Sequence, residues 1–422
     1  MKGVRIMKEV INGKKRIGLL LALTMMLALS IPAQTVEAAG FIKVNTFVKL
    51  IVTELNLPTD SSSREPYIEA AKVAGIIKED DFDKYTAYLT RTDLAVLANR
   101  ADEYLNGDKI DNKLLSFVLE KRISDIKKVA PGKREAVAKV FAKGIIKGYS
   151  NGYYIQNRSF KGSEYVTTST AKAVISLVKS PSKRAKISPD GMLIRTTNLP
   201  KHADKYEYIL ECYPNKFYER QFEFMRMENW KEKRNPDYYA YPVEMRTEMF
   251  KNWYDEWPLS QEMDKHLYEW SALVENYLNY VFNVDYRTVD NAWVKGLAAT
   301  YARSNLNMED MINKYYIPYI KKNHVIIESS IIAVEPSTLY KDTDYCMRVY
   351  IKYRITANDI AVKQNRLIYA QYPALNNLKS GVWRTGIFDI RFIPNNGSNG
   401  DGSDVGIEDL GSFVDLYNVP MK

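Results

Sequence analysis

The sequence is poor in the residues that enzymes most often use for metal binding and nucleophilic catalysis. Its 422 residues include three histidines, His202, His266 and His324, and only two cysteines. The histidines are not spaced for a metal site, and no His-Glu-x-x-His pattern occurs. A glycine-rich loop of the kind that cradles phosphate groups is missing as well. We therefore expect a non-catalytic protein that holds neither a metal ion nor a cofactor.

Long apolar runs are absent after residue 31. The one such run, Ile17 to Ile31, follows a basic stretch and is followed by Pro32 and by small residues around Ala38. Its length of about 15 residues falls short of the roughly 20 needed to span a bilayer, which disfavours a retained membrane anchor. The pattern predicts a secretory signal peptide over residues 1–38 and no membrane span once it is removed.

The exported chain also lacks a strong charge of either sign. The whole sequence carries a formal net charge of +9, and loss of the basic signal leaves about +5. So weak a charge gives no indication of nucleic acid as a partner, but it suits a surface that meets an anionic wall polymer.

The two cysteines, Cys212 and Cys346, allow one disulfide in an exported protein. In the chain-entropy model such a bridge would close a long loop and stabilise the fold by roughly 4–5 kcal/mol. The alternative is a pair of buried thiols, and sequence alone does not show whether the two residues are close enough to bond.

What the sequence does contain is an internal repeat. Residues 71–78, Ala-Lys-Val-Ala-Gly-Ile-Ile-Lys, return with two extra residues as Ala-Lys-Val-Phe-Ala-Lys-Gly-Ile-Ile-Lys at 138–147. A threonine-containing helix start follows each copy, at 89–93 and at 166–170. Apolar residues spaced by three and four predict a mainly helical region over 41–180. Such units bury their apolar faces by stacking on one another.

The composition changes after the linker Lys-Ser-Pro-Ser-Lys-Arg at 179–184. The remainder, residues 190–422, predicts an α+β domain of helices packed on an antiparallel sheet of about four strands, with a sub-boundary near residue 260. The spacing predicts helices at 263–281, 288–302 and 308–322. Alternating patterns predict strands at 325–334, 345–355, 366–372 and 382–393, the second of them half-buried.

Two motifs in the repeat region carry a resemblance to a known family. The first motif, residues 144–152, reads Gly-Ile-Ile-Lys-Gly-Tyr-Ser-Asn-Gly. The second, residues 89–93, reads Leu-Thr-Arg-Thr-Asp, and residues 42–46 and 166–170 look like degenerate copies of it. The region 41–180 thereby resembles the S-layer homology (SLH) family. The resemblance implies a three-repeat helical prism whose grooves grip a pyruvylated secondary cell-wall polysaccharide, on the surface of a Gram-positive bacterium.

The resemblance also implies which residues bind the polymer. Carried over onto the two motifs, they are Thr90, Arg91, Asp93, Gly148, Tyr149 and Gly152. The arginine would pair with the anionic sugar through its planar guanidinium. Only Arg91 is kept among the copies, because Lys43 is displaced by one position and Thr168 stands where an arginine would. At most one full-strength groove is therefore expected.

The predicted C-terminal domain leaves two interpretations of the protein's function open. Three acids, Glu228, Asp255 and Glu256, lie among Trp230, Trp253 and Trp257, as in many sugar sites, although a Tyr-rich core uses the same residue types. We expect a wall- or S-layer-associated envelope component with other surface-layer proteins as partners. The alternative is a wall-associated module that binds carbohydrate or hydrolyses glycosides.

Overall fold

The computed structural model describes most of the chain between residues 40 and 414. The described residues are 40–201, 203–219, 259–304, 306–341, 345–369, 375, 377–395, 404–408 and 413–414. The predicted signal peptide lies outside them, and so do Glu228, Asp255 and Glu256, the three acids of the alternative carbohydrate site. The chain divides into two compact units, one of Met1–Leu105 with Ser163–Lys179 and one of Asn106–Gly162 with Ser180–Lys422. The second unit thus contains parts of both predicted domains.

Helices and strands both contribute to the fold. The helices in the described residues are α1 (Val44–Glu54), α2 (Pro66–Val73), α3 (Arg91–Asn106), α4 (Asn112–Phe117), α5 (Pro131–Ala142), α6 (Thr168–Lys179), α7 (Asn215–Glu219), α8 (Leu259–Val281), α9 (Asn291–Ala298), α10 (Met308–Met311), α11 (Ile317–Lys322) and α12 (Asp359–Gln364). The strands are β1 (Tyr149–Ser150), β2 (Arg158–Ser159), β3 (Val284–Asp285), β4 (Ile326–Lys341), β5 (Tyr345–Thr356), β6 (Trp383–Pro394), β7 (Val405–Ile407) and β8 (Phe413–Val414).

The repeat region is helical, as its apolar spacing predicts. In the first unit, the buried side chains of α1 include Phe47, Val48 and Ile51, and those of α3 include Leu94 and Leu97. In the second unit, α4 runs into a π-helical turn over Val118–Arg122 before α5 begins at Pro131. Proline suits the first turn of a helix, where its missing N–H would have no intrahelical partner.

The C-terminal region is built on one curled antiparallel sheet. Its strand order is β3-β4-β5-β6-β7, with β8 pairing β6 as well. Strands β4 and β5 pair over most of their length, and β6 pairs β5 from Tyr345↔Phe392 to Arg354↔Trp383. The prediction of helices with an antiparallel sheet is confirmed at this level.

Helix α8 packs on one face of the sheet through the stripe that its spacing predicts. Trp270, Val274, Tyr277 and Val281 step along the helix by four, three and four residues, and each is 0% exposed. They join one apolar cluster with the inward side chains of β5, from Met347 to Ile355. Burying a side chain of this size stabilises the fold by about 1.5–3 kcal/mol, so the stripe fixes α8 on the sheet.

The predicted half-buried alternation holds in the C-terminal half of β5, where Tyr350, Lys352 and Arg354 are part-exposed, but the N-terminal half is covered on the opposite face of the sheet as well. Arg348 on β5 is 1% exposed. Its Nε donates to Asp389 Oδ1 at 2.8 Å, and its Nη1 donates to the Phe217 carbonyl at 2.9 Å. A second apolar cluster, made largely of residues 206–218 together with Tyr154, covers this face. The charged residue that alternation places in solvent is therefore enclosed and paired.

Two further predictions differ from the structure. The predicted strand 366–372 is irregular over its described residues 366–369, where the Leu367 carbonyl accepts a hydrogen bond from the Tyr316 hydroxyl at 2.9 Å. The predicted helix 308–322 is α10 and α11 joined by a π-helical turn, Ile312–Tyr316. Pro318 follows this turn, and its ring disfavours regular α-helical pairing with the turn before it.

Of the two alternatives that the sequence leaves open for Cys212 and Cys346, the structure has the pair of free thiols rather than the disulfide. Cys346 is fixed in the sheet opposite Tyr340 and Arg391. Cys212 lies in a turn, and its own carbonyl accepts a hydrogen bond from the Tyr154 N–H at 2.6 Å. Each backbone is thus committed to its own hydrogen bonds, and burial raises the pKa of the Cys212 thiol well above its ordinary value.

Candidate functional site

Three extended segments in the first unit close into a ring. They are residues 41–43, 88–90 and 165–167, and each precedes one of the helices α1, α3 and α6. The Ile42 N–H donates to the Val166 carbonyl at 2.8 Å, and the Leu89 N–H donates to the Ile42 carbonyl at 2.9 Å. The Val166 N–H completes the cycle by donating to the Leu89 carbonyl at 2.9 Å. All three side chains are at most 2% exposed.

A second cycle of hydrogen bonds joins the first residues of the three helices to the same ring. The Val44 N–H donates to the backbone carbonyl of residue 87 at 3.0 Å. The Arg91 N–H donates to the carbonyl of residue 164 at 2.9 Å, and the Thr168 N–H to the carbonyl of residue 40 at 2.7 Å. These N–H groups have no partner inside their own helices, so the neighbouring segment supplies the acceptor. The two cycles make Val44, Arg91 and Thr168 structurally equivalent positions.

This equivalence confirms the register that the sequence predicts for the degenerate copies. Thr168 occupies the position equivalent to Arg91. Lys43 lies one residue before the equivalent position in the first copy, Val44, and so corresponds to Thr90 in the second copy. One of the three equivalent positions therefore carries a cation, and the other two carry a valine and a threonine.

Thr90 and Asp93 form a capping box at the start of α3. The Thr90 hydroxyl donates to Asp93 Oδ2 at 2.6 Å, and the Asp93 N–H donates to Thr90 Oγ1 at 3.2 Å. Threonine at this position satisfies one of the helix's unpaired N–H groups. Thr167 does the same for the third copy, accepting the Thr170 N–H at 3.2 Å. The cap fixes the backbone from which Arg91, at 9% exposure, projects.

The second predicted motif forms a tight turn in the second unit. Gly148 has φ +67° and Gly152 has φ +110°, both in the region that favours glycine. Between them, Tyr149 and Ser150 pair with Ser159 and Arg158 as the strands β1 and β2. Tyr149 is 40% exposed. The Lys161 ammonium lies 4.3 Å from the centroid of its ring, so a cation and an aromatic face are presented together.

Two residues that sequence reasoning missed hold this turn in shape. The Asp125 carboxylate accepts the backbone N–H groups of Phe160 at 2.6 Å and Lys161 at 2.8 Å. The Arg158 guanidinium donates to the carbonyls of Lys147 at 2.8 Å and Gly148 at 3.0 Å. Both are charge-assisted bonds, which are stronger than neutral ones. The signal available in the sequence is only the presence of charged residues beside a glycine-rich turn.

Residues 148–152 also have the spacing Gly-x-Ser-x-Gly, which marks the nucleophile elbow of many hydrolases. In that elbow the serine lies on a sharp turn that leads from a strand directly into a helix. Here Ser150 ends β1, whose antiparallel partner β2 follows it in the chain. Its Oγ accepts the Gly152 N–H at 3.2 Å, as in a local turn. The segment is therefore a turn between two short strands and not an elbow.

A family match covers the second motif and the third ring segment. Residues 122–167 match the model of the S-layer homology domain family. The matched segment contains α5, the turn at residues 144–152, β1, β2 and the ring segment 165–167. The resemblance predicted from the sequence is confirmed for this copy, and a domain of this family indicates association with the cell surface. No curated protein matches the chain.

The six predicted polymer-binding residues are divided between the two compact units. Thr90, Arg91 and Asp93 belong to the first unit, where the cap and the ring hold them together. Gly148, Tyr149 and Gly152 belong to the second and share one turn. Within the described residues, no cluster of three or more His, Cys, Asp or Glu side chains could hold a metal ion. No helix there combines the length and apolarity needed to cross a bilayer.

Proposed function

We propose that this protein is an exported, non-catalytic component of a Gram-positive cell envelope, held non-covalently to an anionic secondary wall polysaccharide by three S-layer homology repeats. The observation that carries the proposal is the hydrogen-bonded ring. The helix starts at 42–46 and 89–93 lie outside the matched residues 122–167, yet they share both hydrogen-bond cycles with the matched copy. Three copies in equivalent positions are what a three-repeat prism requires.

The ring supports one strong binding position rather than three. A guanidinium offers parallel donors that match a carboxylate, and Arg91 is the equivalent position that carries one. At 9% exposure, Arg91 offers a ligand a small part of its surface, and the capping box at Thr90 and Asp93 keeps its backbone fixed. Val44 and Thr168 have no charge to offer. With one charged position, the ring itself gains nothing from avidity, so its contribution to retention on walls should be modest and sensitive to salt.

The glycine turn supports a polymer contact of its own. Tyr149 gives a flat, partly exposed ring, and Lys161 places a positive charge against it. The Asp125 carboxylate accepts and the Arg158 guanidinium donates charge-assisted hydrogen bonds that hold the loop before a ligand binds. A preformed loop loses less conformational entropy on binding. These residues suit an anionic sugar chain, whose ring faces pack on tyrosine and whose charge pairs with lysine.

Co-sedimentation with purified cell walls tests the proposal. The mature chain, residues 39–422, is used whole, because a cut near residue 182 would divide the second compact unit. It is mixed with Gram-positive walls and with the same walls after chemical removal of the anionic polysaccharide. We expect retention on the intact walls, release by soluble polymer and loss on the stripped walls. Equal retention on both preparations would contradict polymer anchoring.

A further inference from the structure

An open cleft lies in the second unit beside α11 and α12. Its volume is about 660 Å³, and its walls include four tyrosines, a glutamine and an arginine: Tyr315, Tyr316, Tyr319, Tyr369, Gln364 and Arg366. Sites for small ligands usually occupy about 300–1,000 Å³ and combine aromatic walls with a few polar groups. None of these residues belongs to the SLH match or to the two predicted motifs.

The π-helical turn before α11 supplies two of the tyrosines, and α11 supplies a third. Tyr315 and Tyr316 end the turn Ile312–Tyr316, and Tyr319 follows in the first turn of α11. Tyr319 lies four positions after Tyr315 and three after Tyr316, and all three rings line the cleft. Tyr315 remains 55% exposed, which leaves its ring available at the mouth of the cleft.

Hydrogen bonds and ring contacts fix the walls of the cleft. The Tyr319 hydroxyl donates to Gln364 Oε1 at 3.1 Å and ties α11 to α12. Tyr316 donates to the Leu367 carbonyl and meets the ring of Tyr369 edge-on, with centroids 5.1 Å apart. The walls are therefore largely formed without a ligand, which lowers the cost of binding.

The charge at the mouth of the cleft is positive. Asn365 caps the C-terminus of α12 with φ +53°, a left-handed conformation that asparagine tolerates, and the chain then turns to Arg366. Arg366 and Tyr319 both line the cleft. Burial raises the pKa of Tyr319, and the positive charge of Arg366 opposes that rise. The Lys314 ammonium adds a second cation 5.1 Å from the ring centroid of Tyr315. Arg366 is the charged residue among the described lining residues.

We propose that this cleft binds a saccharide that carries a carboxylate group. The face of a sugar ring is apolar and packs flat on a tyrosine ring, while its hydroxyls pair with groups such as the Gln364 amide. The carboxylate would pair with the Arg366 guanidinium in two parallel hydrogen bonds. A neutral or wholly apolar ligand would bury the Arg366 guanidinium without an anionic partner, and burying an unpaired charge is unfavourable in free energy.

The choice of a saccharide over a peptide also rests on the arginine. Proline-rich segments dock on tyrosine-lined grooves, but they bring no anion to pair with Arg366. The proposal does not depend on wall anchoring by the repeats, since none of its residues takes part in the ring or the glycine turn.

Isothermal titration calorimetry of the mature chain tests the proposal with hexagalacturonate as the acidic probe and cellohexaose as the neutral one. We expect saturable binding of hexagalacturonate and at least tenfold weaker binding of cellohexaose. Tyr315→Ala should weaken hexagalacturonate binding at least tenfold, because an exposed stacking ring is lost. Arg366→Gln should reduce the preference for the acidic probe to less than threefold. Tyr104→Ala is the matched control, since Tyr104 is 53% exposed in the first unit and should leave binding unchanged.

Four results would overturn the proposal, three with the cleft probes and one with a variant of the repeats. One is the absence of saturable hexagalacturonate binding, and another is binding that neither Tyr315→Ala nor Arg366→Gln weakens. The third is tighter binding of a decaproline peptide that depends on Tyr315, which would assign the cleft to a peptide. Arg91→Ala separates this site from the repeats. It should leave hexagalacturonate binding intact, and loss of binding in that variant would place the acidic sugar at the repeats instead.

Discussion

The buried carboxyl group of Glu335 makes the stability of the second unit depend on pH near neutrality. Glu335 lies on β4 at 0% exposure, hydrogen-bonded to the Tyr218 hydroxyl and to the backbone N–H of Ser337 at 2.9 Å. Burial is the main cause that raises its pKa from 4.5 to about 8, and the negative charge of Asp190 adds to the rise. The hydrogen bonds from Tyr218 and Ser337 only partly oppose it.

The sign and size of the effect follow from the two pKa values. Between pH 4.5 and about pH 8, the folded chain keeps a proton on Glu335 that the unfolded chain has released. The free energy of unfolding therefore falls as pH rises, by about 1.4 kcal/mol per pH unit and by roughly 5 kcal/mol across the whole window. Below pH 4.5 both states hold the proton, and above pH 8 neither does.

Glu335→Gln removes the titration while keeping the shape of the protonated group. Urea unfolding at pH 6.0 and pH 7.5 measures the effect, followed by tryptophan fluorescence because all six tryptophans lie in residues 230–383. We expect the wild-type free energy of unfolding to fall by about 2 kcal/mol between these pH values, and the variant to change by less than 0.5 kcal/mol. The other resolved shifts among the described residues lower the pKa of aspartates or raise the pKa of cysteine, tyrosine, lysine and arginine. None of them moves a pKa into this interval.

Glu328→Gln is the control, because Glu328 pairs with Arg354 at the sheet surface and is 45% exposed. It should keep the wild-type slope. A wild-type chain whose stability is flat between pH 6.0 and 7.5, or a Glu335→Gln variant with the wild-type slope, would refute the account of this buried group.

Two further substitutions test the turn and the cap. Gly144→Ala should lower the free energy of unfolding by at least about 2 kcal/mol, because φ is +67° and a Cβ would lie 2.0 Å from the Ala185 carbonyl oxygen. Gly132→Ala in α5 is the control: a Cβ there meets open space, so the change should be neutral or slightly stabilising. Urea midpoints compare the two, and equal effects would contradict the close approach. Thr90→Ala should lower the thermal stability by about 1 kcal/mol through loss of the cap, and an unchanged midpoint would contradict its role.

Local patterns predict the repeats and the main helices because their causes are local. The capping box of Thr90 and Asp93 spans three residues, and the stripe from Trp270 to Val281 repeats at the helical period. Both depend on neighbours close in sequence, which the sequence displays directly. The degenerate copies at 42–46 and 166–170 are predictable for the same reason, since their positions follow from a repeated motif.

Contacts between distant segments account for most of what the sequence does not predict. Arg348 alternates as a surface residue, but Phe217 and Asp389 lie 131 and 41 positions away and enclose it. Asp125 supports the glycine turn through residues 35 and 36 positions further on. The tyrosine cleft combines helices α11 and α12 with Tyr369, in a segment that the sequence predicts as a strand. No local pattern encodes such pairings.

The central claim, that the repeats anchor the protein through one arginine, is tested by wall retention of Arg91→Ala. Arg64→Ala is the matched control, since Arg64 is an exposed arginine in the same unit. Circular dichroism confirms that both variants remain folded, and the fraction bound is measured against the concentration of purified walls. We predict at least tenfold weaker retention of Arg91→Ala, about 1.4 kcal/mol, with Arg64→Ala equal to the wild type. Retention of folded Arg91→Ala at the wild-type level would contradict the claim.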